Sequence, residues 1–285
     1  MSDTSMPLEW TAQQWQNVQQ TIYEEARRAR VAARFLPLYG PIAADAETVP
    51  AEVLGVEKPT DPCACPEDRL HVSESEPLRI TTIAVNVPLS SQQVAQPDLS
   101  AALSLFRRAA NIIAHVEDAL IFRGASGLPS GMPPVYRVTG GIPNHGLYDR
   151  GHQTKVPMNT GDELLKAVAH GIAELESRGY IGPYALALSS ELFVISETPN
   201  PGTLVLPSDR IRPLIEGSLV RTGTLPPKDG VLVSLAGKPV EIVVAADIAA
   251  KFLQVSAEPR WIFRVSERFV LRVKERDAIE TLIHI

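Results

Sequence analysis

The chain has 285 residues, of which 45% are hydrophobic and 21% charged, an ordinary composition for one large or two smaller globular domains. Its formal net charge of −6 and its lack of a long basic run argue against a nucleic-acid-binding surface. No apolar run reaches about 18 residues and residues 1–10 lack the pattern of a secretory signal, so we expect neither a transmembrane helix nor a signal peptide.

The first predicted element is a helix over residues 11–34, where Thr11 and Gln14 have the spacing of a capping box. Apolar residues then recur at three- and four-residue steps and form one narrow stripe. Pro37 and Pro41 end the helix, because proline lacks an amide hydrogen and restricts the residue before it. Such a stripe is most simply a packing face, although a terminal helix can also offer a groove to another chain. The stripe comprises Trp15, Val18, Ile22, Ala26, Ala29 and Ala33.

An extended region follows, in which an irregular, proline-rich stretch over residues 42–66 precedes two runs of strand-forming residues. These runs, RLHVSES and LRITTIAVNV, are joined at Glu76 and Pro77 and predict a long hairpin arm. The proline-rich stretch holds the two cysteines of the chain, Cys63 and Cys65. Two thiols one residue apart do not make a disulfide framework, which fits a reducing compartment. A lone Cys-x-Cys pair is weak evidence for a metal site, so we interpret it as loop.

The longest predicted helix runs from Asp98, the expected N-cap, to Arg123, with Gly124 as its stop. It contains two adjacent acids, Glu117 and Asp118, which raise the question of a catalytic or metal-binding pair. Helical periodicity separates them, since Asp118 falls on a polar face and Glu117 in an apolar row. Glu117 is then either a buried base with a raised pKa or a structural acid paired with an arginine or backbone amides, and the structural role is the commoner one.

Residues 124–159 are rich in glycine and proline and predict a long loop. Within this segment His145, Asp149 and His152 lie close in sequence, and two imidazoles with a carboxylate can bind zinc or iron. Loop histidines more often face solvent, so we expect no metal here.

A third helix is predicted next, opened by a capping box at Thr160 and Glu163 and closed at Gly179. A short buried strand, a proline-bracketed loop over residues 196–208 and a short helix follow, and residues 230–285 are mostly strand. This order of elements indicates an α+β fold rather than a series of βαβ units.

Motifs of the common catalytic and nucleotide-binding classes, GxxxxGK[ST], GxGxxG, GxSxG and HExxH, do not occur in the sequence. The glycine-rich stretches at 124–131 and 139–146 neither follow a predicted strand nor open a predicted helix, as a phosphate-binding loop does. We therefore predict no catalytic residues, no cofactor and no enzymatic activity. A long arm and a proline-bracketed loop are instead typical of interaction surfaces.

Several of these segments together resemble the encapsulins, the self-assembling shell proteins of prokaryotic nanocompartments. LEWTAQQWQNV and RRARVAARFLPLYGP resemble the N-terminal helix of the family and its Gly-Pro exit. The other matching segments are EDALIFRG at the end of the long helix, GYIGPYALALSSELF, and the terminal series VLVSLAG, VEIVVAADIAAKFL and FRVSERFVLRV. Their shared order and spacing make the resemblance specific, and it runs nearly from end to end.

The resemblance implies an α+β tailed-phage major-capsid fold of the Hong Kong 97 type, with tens of subunits closing an icosahedral shell around a cargo protein. The arm at about residues 67–88 would be the extension loop that pairs with a neighbouring subunit. Five parts are implied: an N-terminal helix facing the shell interior (1–41), an extended segment with the extension loop (42–98), peripheral-domain helices with the long loop (99–179), an axial domain (180–245) and C-terminal strands that return to the peripheral domain (246–285).

The resemblance also implies where a cargo would bind, because in the family a short cargo tail lies along an apolar groove lined by the N-terminal helix. The usual cargo proteins are peroxidases, ferritin-like proteins and hemerythrin-like proteins. The resemblance also implies that Glu117, in EDALIFRG, belongs to a structural signature of the family rather than to a catalytic dyad. By position, the cargo groove falls to Trp15, Val18, Ile22, Phe35 and Leu36, and the pore loop within 196–208 to Glu197, Thr198, Asn200 and Gly202.

The sequence departs from the family pattern at three places, one of which is the loop 124–159, longer than expected for the family. Ala33 and Pro37 stand where many members have an arginine and an acidic residue, so the specificity for the tail is expected to be unusual. Pro88 and Leu89 stand where some members stack a flavin on a tryptophan, so no flavin is expected. The implied partners are further copies of the chain and a cargo protein in the cytoplasm, with no nucleic acid and no membrane. Two alternatives stay open: a capsid protein of a degenerate prophage, and a shell whose loop 124–159 has metal-binding or redox activity of its own.

Overall fold

The computed structural model describes residues 10–57, 69–74, 76–129, 135–200, 202, 204–256, 258 and 260–285. In this part of the chain the helices are α1 (Ala12–Ala29), α2 (Ser91–Val94), α3 (Ser100–Arg123), α4 (Leu147–Arg150), α5 (Gly161–Ser177), α6 (Ser190–Ser196) and α7 (Pro207–Ile215). The strands are β1 (Leu38–Tyr39), β2 (Thr48–Pro50), β3 (Val53–Glu57), β4 (Arg69–Ser73), β5 (Pro77–Arg79), β6 (Thr81–Ser90), β7 (Tyr136–Gly140), β8 (His152–Val156), β9 (Tyr184–Ser189), β10 (Leu219–Thr222), β11 (Gly230–Ser234), β12 (Val240–Val255), β13 (Arg260–Val273) and β14 (Ile279–His284). Among the described helices none combines the length and the apolarity that a membrane crossing requires.

The first layer is a five-stranded sheet of order β1-β12-β13-β6-β7, with the helices α1 and α3 packed on it. The long antiparallel pair β12–β13 forms its centre. Strand β6 alternates between buried and more exposed positions, as expected for a sheet that packs one face on a core. The apolar side chains of α1, α3 and the inward strand positions form one continuous core cluster.

Helix α1 begins as the sequence predicts. The hydroxyl of Thr11 accepts a hydrogen bond from the amide of Gln14 (3.2 Å), and the side chain of Gln14 accepts one from the amide of Thr11 (2.9 Å). The helix ends at Ala29, earlier than the predicted residue 34, and a 3-10 turn at Ala32–Arg34 follows.

Helix α3 ends at Gly124, as predicted, but its predicted start is wrong. Leu99, and not Asp98, occupies the N-cap position. The Asp98 carboxylate instead accepts a hydrogen bond from the amide of Ser100 (3.3 Å) from outside the helix. Leu99 is fully buried, so packing of this side chain, rather than side-chain capping, sets where α3 begins.

The second layer is a five-stranded sheet of order β10-β9-β11-β14-β8, covered by α5, α6 and α7. Strand β9 is buried along its whole length, because its two faces serve two cores. Ala185 and Ala187 pack into the first core, while Leu186 and Leu188 pack under the helices of the second layer. Helix α5 and strands β8 and β14 belong to this layer together with β9, β10 and β11.

The predicted hairpin arm is wrong in its pairing. Strand β4, from RLHVSES, pairs with β3, while β6, from LRITTIAVNV, pairs with β13 and β7 in the first sheet. The error arose because β3 lies in the stretch that its prolines marked as irregular. The two-stranded arm β3–β4 presents Leu54, Leu70 and Val72 to solvent. Cys63 and Cys65 lie outside the described residues.

The prediction of one long loop over residues 124–159 is also wrong. Strand β7 pairs with β6 at the edge of the first sheet, and β8 pairs in parallel with β14 in the second. Helix α4 lies between them. Their residues lack a strong period of two, and it is pairing with an existing sheet edge that makes them strands.

Candidate functional site

The residues predicted to line a cargo groove lie mostly inside the subunit. Val18 and Ile22 are fully buried, and Phe35 and Leu36 are buried as well. Trp15 is half-buried and packs its ring against Trp10 and Phe263, with ring centroids 5.2 and 5.9 Å away. The prediction that this set is open to a tail is therefore corrected, because α3 and the first sheet already cover the stripe.

A cavity of about 700 Å³, here named the α1 cavity, opens beside the C-terminal half of α1. Its rim carries exposed apolar and aromatic side chains, with Leu38 58% and Tyr39 48% exposed. Tyr23 on α1 also lines the cavity and is exposed. The floor is formed by charged side chains: Arg30, Glu117, Asp247 and Glu267.

Arg30 connects three structural elements at this floor. It follows the last turn of α1, and its Nε donates to Oε2 of Glu117 on α3 at 2.6 Å. Its Nη2 donates to Oε1 of Glu267 on β13, and its Nη1 lies 3.4 Å from Oδ1 of Asp247 on β12. A planar guanidinium suits several carboxylates at once. Glu117 is 2% exposed, so the prediction that it points inward is confirmed.

Asp118 is placed differently from its prediction. It is buried rather than solvent-exposed, and its carboxylate accepts hydrogen bonds from the amides of Val31 (2.9 Å) and Ala32 (2.8 Å). The two adjacent acids thus hold the same junction, Glu117 through a side chain and Asp118 through backbone amides. The turn after α1 lies over the face of α3 that the helical periodicity assigned to solvent. The sequence of α3 alone does not predict that another segment covers this face.

Burial dominates the electrostatics of this floor. Burial, followed by repulsion from Glu267, raises the pKa of Glu117 well above its ordinary value. Burial also raises the pKa of Glu267, which Arg30 opposes, and raises the pKa of Asp118 to about 7 against its two backbone hydrogen bonds. Oε2 of Glu267 is buried without a hydrogen-bond donor among the described residues, while a hydrogen bond with the carboxyl of Glu117 opposes the rise in the pKa of Glu267. The floor therefore holds more carboxylate than its neighbouring cation balances.

The predicted pore-loop residues lie between α6 and α7. The Thr198 hydroxyl donates to the carbonyl of Val194 (2.7 Å), and Oε1 of Glu197 lies 3.8 Å from Nη2 of Arg212. Asn200 lies close to Gly161: a Cβ added at Gly161 would be 2.7 Å from the side-chain oxygen of Asn200. Gly202 is exposed with a φ of +83°, a left-handed conformation that favours glycine.

The structure does not bring the predicted histidine and aspartate set together as a metal site. His152 pairs with Asp277 instead, with 2.7 Å between Nε2 and Oδ1. Within the described ranges there is no group of three or more His, Cys, Asp or Glu side chains that could hold a metal ion.

Comparison with known proteins gives a consistent result. The sequence matches the Linocin_M18 family model, described as "Encapsulating protein for peroxidase", over residues 6–270. It is 28% identical to the type 1 encapsulin shell protein EncA of Myxococcus xanthus, with 95% of this chain and 92% of that protein covered.

Two solved structures define the fold. A virus-like particle from Pyrococcus furiosus superposes with a TM-score of 0.72 at 13% identity, covering 94% of this chain and 98% of that one. The capsid of Myoviridae phage XM1 superposes with a TM-score of 0.61 at 14% identity, covering 87% and 90%. The chain thus has the α+β major-capsid fold of tailed phages, the Hong Kong 97 type.

Proposed function

The chain belongs to the Linocin_M18 family of encapsulating shell proteins, and we propose that its shell retains a cargo enzyme by binding a short peptide tail in the α1 cavity. It is a structural shell protein that self-assembles into a protein nanocompartment. The family match separates it from the phage capsids, whose likeness to it is one of fold.

The observation that carries the tail site is an apolar rim left open beside α1. Leu38, Tyr39 and Tyr23 are each roughly half exposed around one cavity, and burying such side chains is favourable by about 25 cal/mol per Å² of apolar surface. Ordering a flexible tail opposes binding, so one site should hold a tail only modestly. An oligomeric cargo with several tails is then retained by multivalency and by closure of the shell.

The first candidate for the cargo is a peroxidase, which the family description supports. Ferritin-like and hemerythrin-like proteins, which the sequence resemblance implies, are the other candidates. The shell itself acts without catalysis, in the cytoplasm, and small substrates reach the cargo through pores. Residues 196–208 form the pore loop in this proposal, since the loop joins α6 and α7 and keeps Glu197 and Thr198 near its start.

The test is a charge placed on the rim of the cavity. Leu38→Asp should leave shell assembly intact, because Leu38 is exposed and its backbone pairing with β12 is unchanged. Shells purified from cells that also make the native cargo should then contain several-fold less cargo per subunit, measured by quantitative mass spectrometry. Leu253→Asp, an exposed leucine far along β12, is the matched control and should keep the wild-type ratio. An unchanged cargo ratio in Leu38→Asp shells would place the tail site elsewhere.

A further inference from the structure

A second cavity, of about 500 Å³, lies between the first sheet and the two-stranded ribbon β2–β5, and we name it the ribbon cleft. Its sheet wall is a row across three neighbouring strands, since Thr139 on β7 pairs with Thr82 on β6, and Thr82 pairs with Arg268 on β13. Its ribbon wall carries Thr48 on β2 opposite Arg79 on β5. Residues paired across antiparallel strands share one face of a sheet, so each wall presents its polar groups together.

The end of β7 brings the two walls of the ribbon cleft together. Gly140 has a φ of +88°, and a Cβ there would lie 2.2 Å from the carbonyl oxygen of Ile80. A Cβ at Gly141 would lie 2.2 Å from the Cβ of Arg79, at the end of the ribbon. The amide of Gly141 donates to the carbonyl of Ile80 at 3.2 Å, and the hydroxyl of Thr81 donates to the carbonyl of Gly141. Because only glycine permits so close an approach, the cleft is built into the fold.

The two arginines of the ribbon cleft carry positive charge that no carboxylate balances. Nη2 of Arg268 donates to the carbonyl of Ala46 at 2.7 Å and Nη1 donates to the carbonyl of Ala44, so uncharged groups hold this half-buried guanidinium in place. Arg79 forms no ion pair within the described part of the chain. Among the described residues that line the cleft, Glu47 is the only acid, and its carboxylate pairs with neither arginine.

The surrounding face of the sheet adds to the positive charge. The next two rows of paired residues hold Lys251 opposite Arg264 and Arg137 opposite Ala84. Over their described positions, these two rows and the row in the cleft contain no acid, although the whole chain has a net charge of −6. A cleft lined by one sign of charge concentrates ions of the opposite sign, so this cleft favours an anion.

The threonines of the cleft supply further donors to such an anion. The hydroxyls of Thr48, Thr82 and Thr139 have no hydrogen-bond partner among the described residues, and a hydroxyl can rotate to donate where it is needed.

We propose that the ribbon cleft binds a phosphate group, either as free inorganic phosphate or as part of a small phosphomonoester. Guanidinium groups match phosphate oxygens with charge-assisted, often paired, hydrogen bonds. Arg79 and Arg268 donate to the phosphate from the two walls, and Thr82 and Thr139 donate from the sheet. The volume lies in the range of small-molecule sites, about 300–1,000 Å³, and leaves room for an organic group whose hydroxyl donates to Glu47. The proposal goes beyond the proposed function, since the ribbon cleft and the α1 cavity share no lining residue.

The experiment is equilibrium dialysis of assembled, cargo-free shells against radiolabelled inorganic phosphate, at a constant ionic strength set with chloride. Wild-type shells should bind phosphate saturably, up to one phosphate per subunit. Arg79→Gln should weaken binding about tenfold, because it removes a charge-assisted donor at an exposed position whose backbone pairing is unchanged. Arg137→Gln removes another exposed arginine of the same sheet face, outside the cleft lining, and as the matched control it should change the affinity by less than about twofold.

A second variant and a competitor make the outcomes separable. Thr82→Val replaces one hydroxyl by a methyl group and keeps both guanidinium groups, so it tests the site even if Arg79→Gln shells fail to assemble, and it should weaken binding severalfold. Unlabelled glycerol phosphate distinguishes the two sources of the phosphate group. If it competes more strongly than unlabelled phosphate, the ligand is a phosphomonoester, and Glu47→Gln should remove that advantage; if it competes equally or less, the ligand is free phosphate. The absence of saturable binding to wild-type shells, or binding that is the same in Arg79→Gln and Thr82→Val shells, overturns the phosphate site.

Discussion

The two sides of α1 differ in what covers them. One side carries Val18, Ile22 and Ala26, which are fully buried against α3 and the first sheet. The adjacent side carries Tyr23 and Arg27, which face the α1 cavity and solvent. An apolar stripe indicates that a helix face is covered, but it does not say whether its own chain or a partner provides the cover. Here the chain itself covers the stripe. The surface left for a partner is the adjacent face of α1, at the positions that follow the stripe residues by one in sequence.

The two sides meet at the end of the helix. The four-residue step from Val18 through Ile22 and Ala26 leads to Arg30, so the buried row ends in an arginine. The charge of Arg30 is buried with carboxylates from α3 and β13, and those same carboxylates form the floor of the cavity. The packing side and the binding side of α1 are therefore joined through one ionic cluster.

The largest effect is expected at Val18, on the side of α1 that packs within the subunit. Val18→Glu puts an unpaired charge into a fully buried site, which costs several kcal/mol against a total stability of about 5–15 kcal/mol. We expect loss of soluble shells, and not the empty shells that a groove position would give, measured by size-exclusion chromatography and electron microscopy.

Asn17→Glu adds the same charge on the exposed neighbouring position and should assemble normally. Intact but empty Val18→Glu shells would show that the stripe opens to the cargo after all.

The sequence predicts the local features of this region well. The capping box at Thr11, the stop of α3 at Gly124 and the inward position of Glu117 each depend on residues within one helix, and each is confirmed. The burial of Asp118 depends on which segment crosses over α3. The pairing of β3 with β4 depends likewise on contacts between distant parts of the chain. Periodicity cannot report such tertiary cover, and for that reason the cavity itself was not predicted.

A second variant tests Asp118, which the helical periodicity placed on a solvent-exposed face. Asp118→Ala removes the acceptor of two buried amides, Val31 and Ala32, and each unsatisfied amide costs about 1–3 kcal/mol. We expect a clear loss of thermal stability, measured by differential scanning fluorimetry of the shells. Asp98→Ala at the opposite end of α3 loses one exposed hydrogen bond and should change the stability by less than about 0.5 kcal/mol. Equal, small changes would mean that the turn after α1 does not need its carboxylate.

The smallest effect is expected at Glu117, when only its charge is removed. Glu117→Gln keeps an oxygen that can accept from Nε of Arg30, and Arg30 keeps its contact with Glu267. One guanidinium then faces one buried carboxylate instead of two. Because the repulsion between Glu117 and Glu267 disappears, the stability at neutral pH should change by less than about 1 kcal/mol, far less than the cost of breaking a buried ion pair.

The pH dependence of stability tests whether the carboxyl of Glu117 binds a proton on folding. The pKa of Glu117 in the folded chain lies above its ordinary value of 4.5, so the folded state binds this proton more tightly than the unfolded state does. The stabilisation from that proton is complete below 4.5 and is lost as the pH rises through the raised pKa. Glu117→Gln cannot titrate, so its melting temperature should vary less than that of the wild type between about pH 5 and about pH 8. Asp118 titrates in both proteins, whereas Glu267 is coupled to Glu117, so the difference between the two curves belongs to this pair of carboxyls. Parallel curves would show that the pair of Glu117 and Glu267 binds no additional proton on folding.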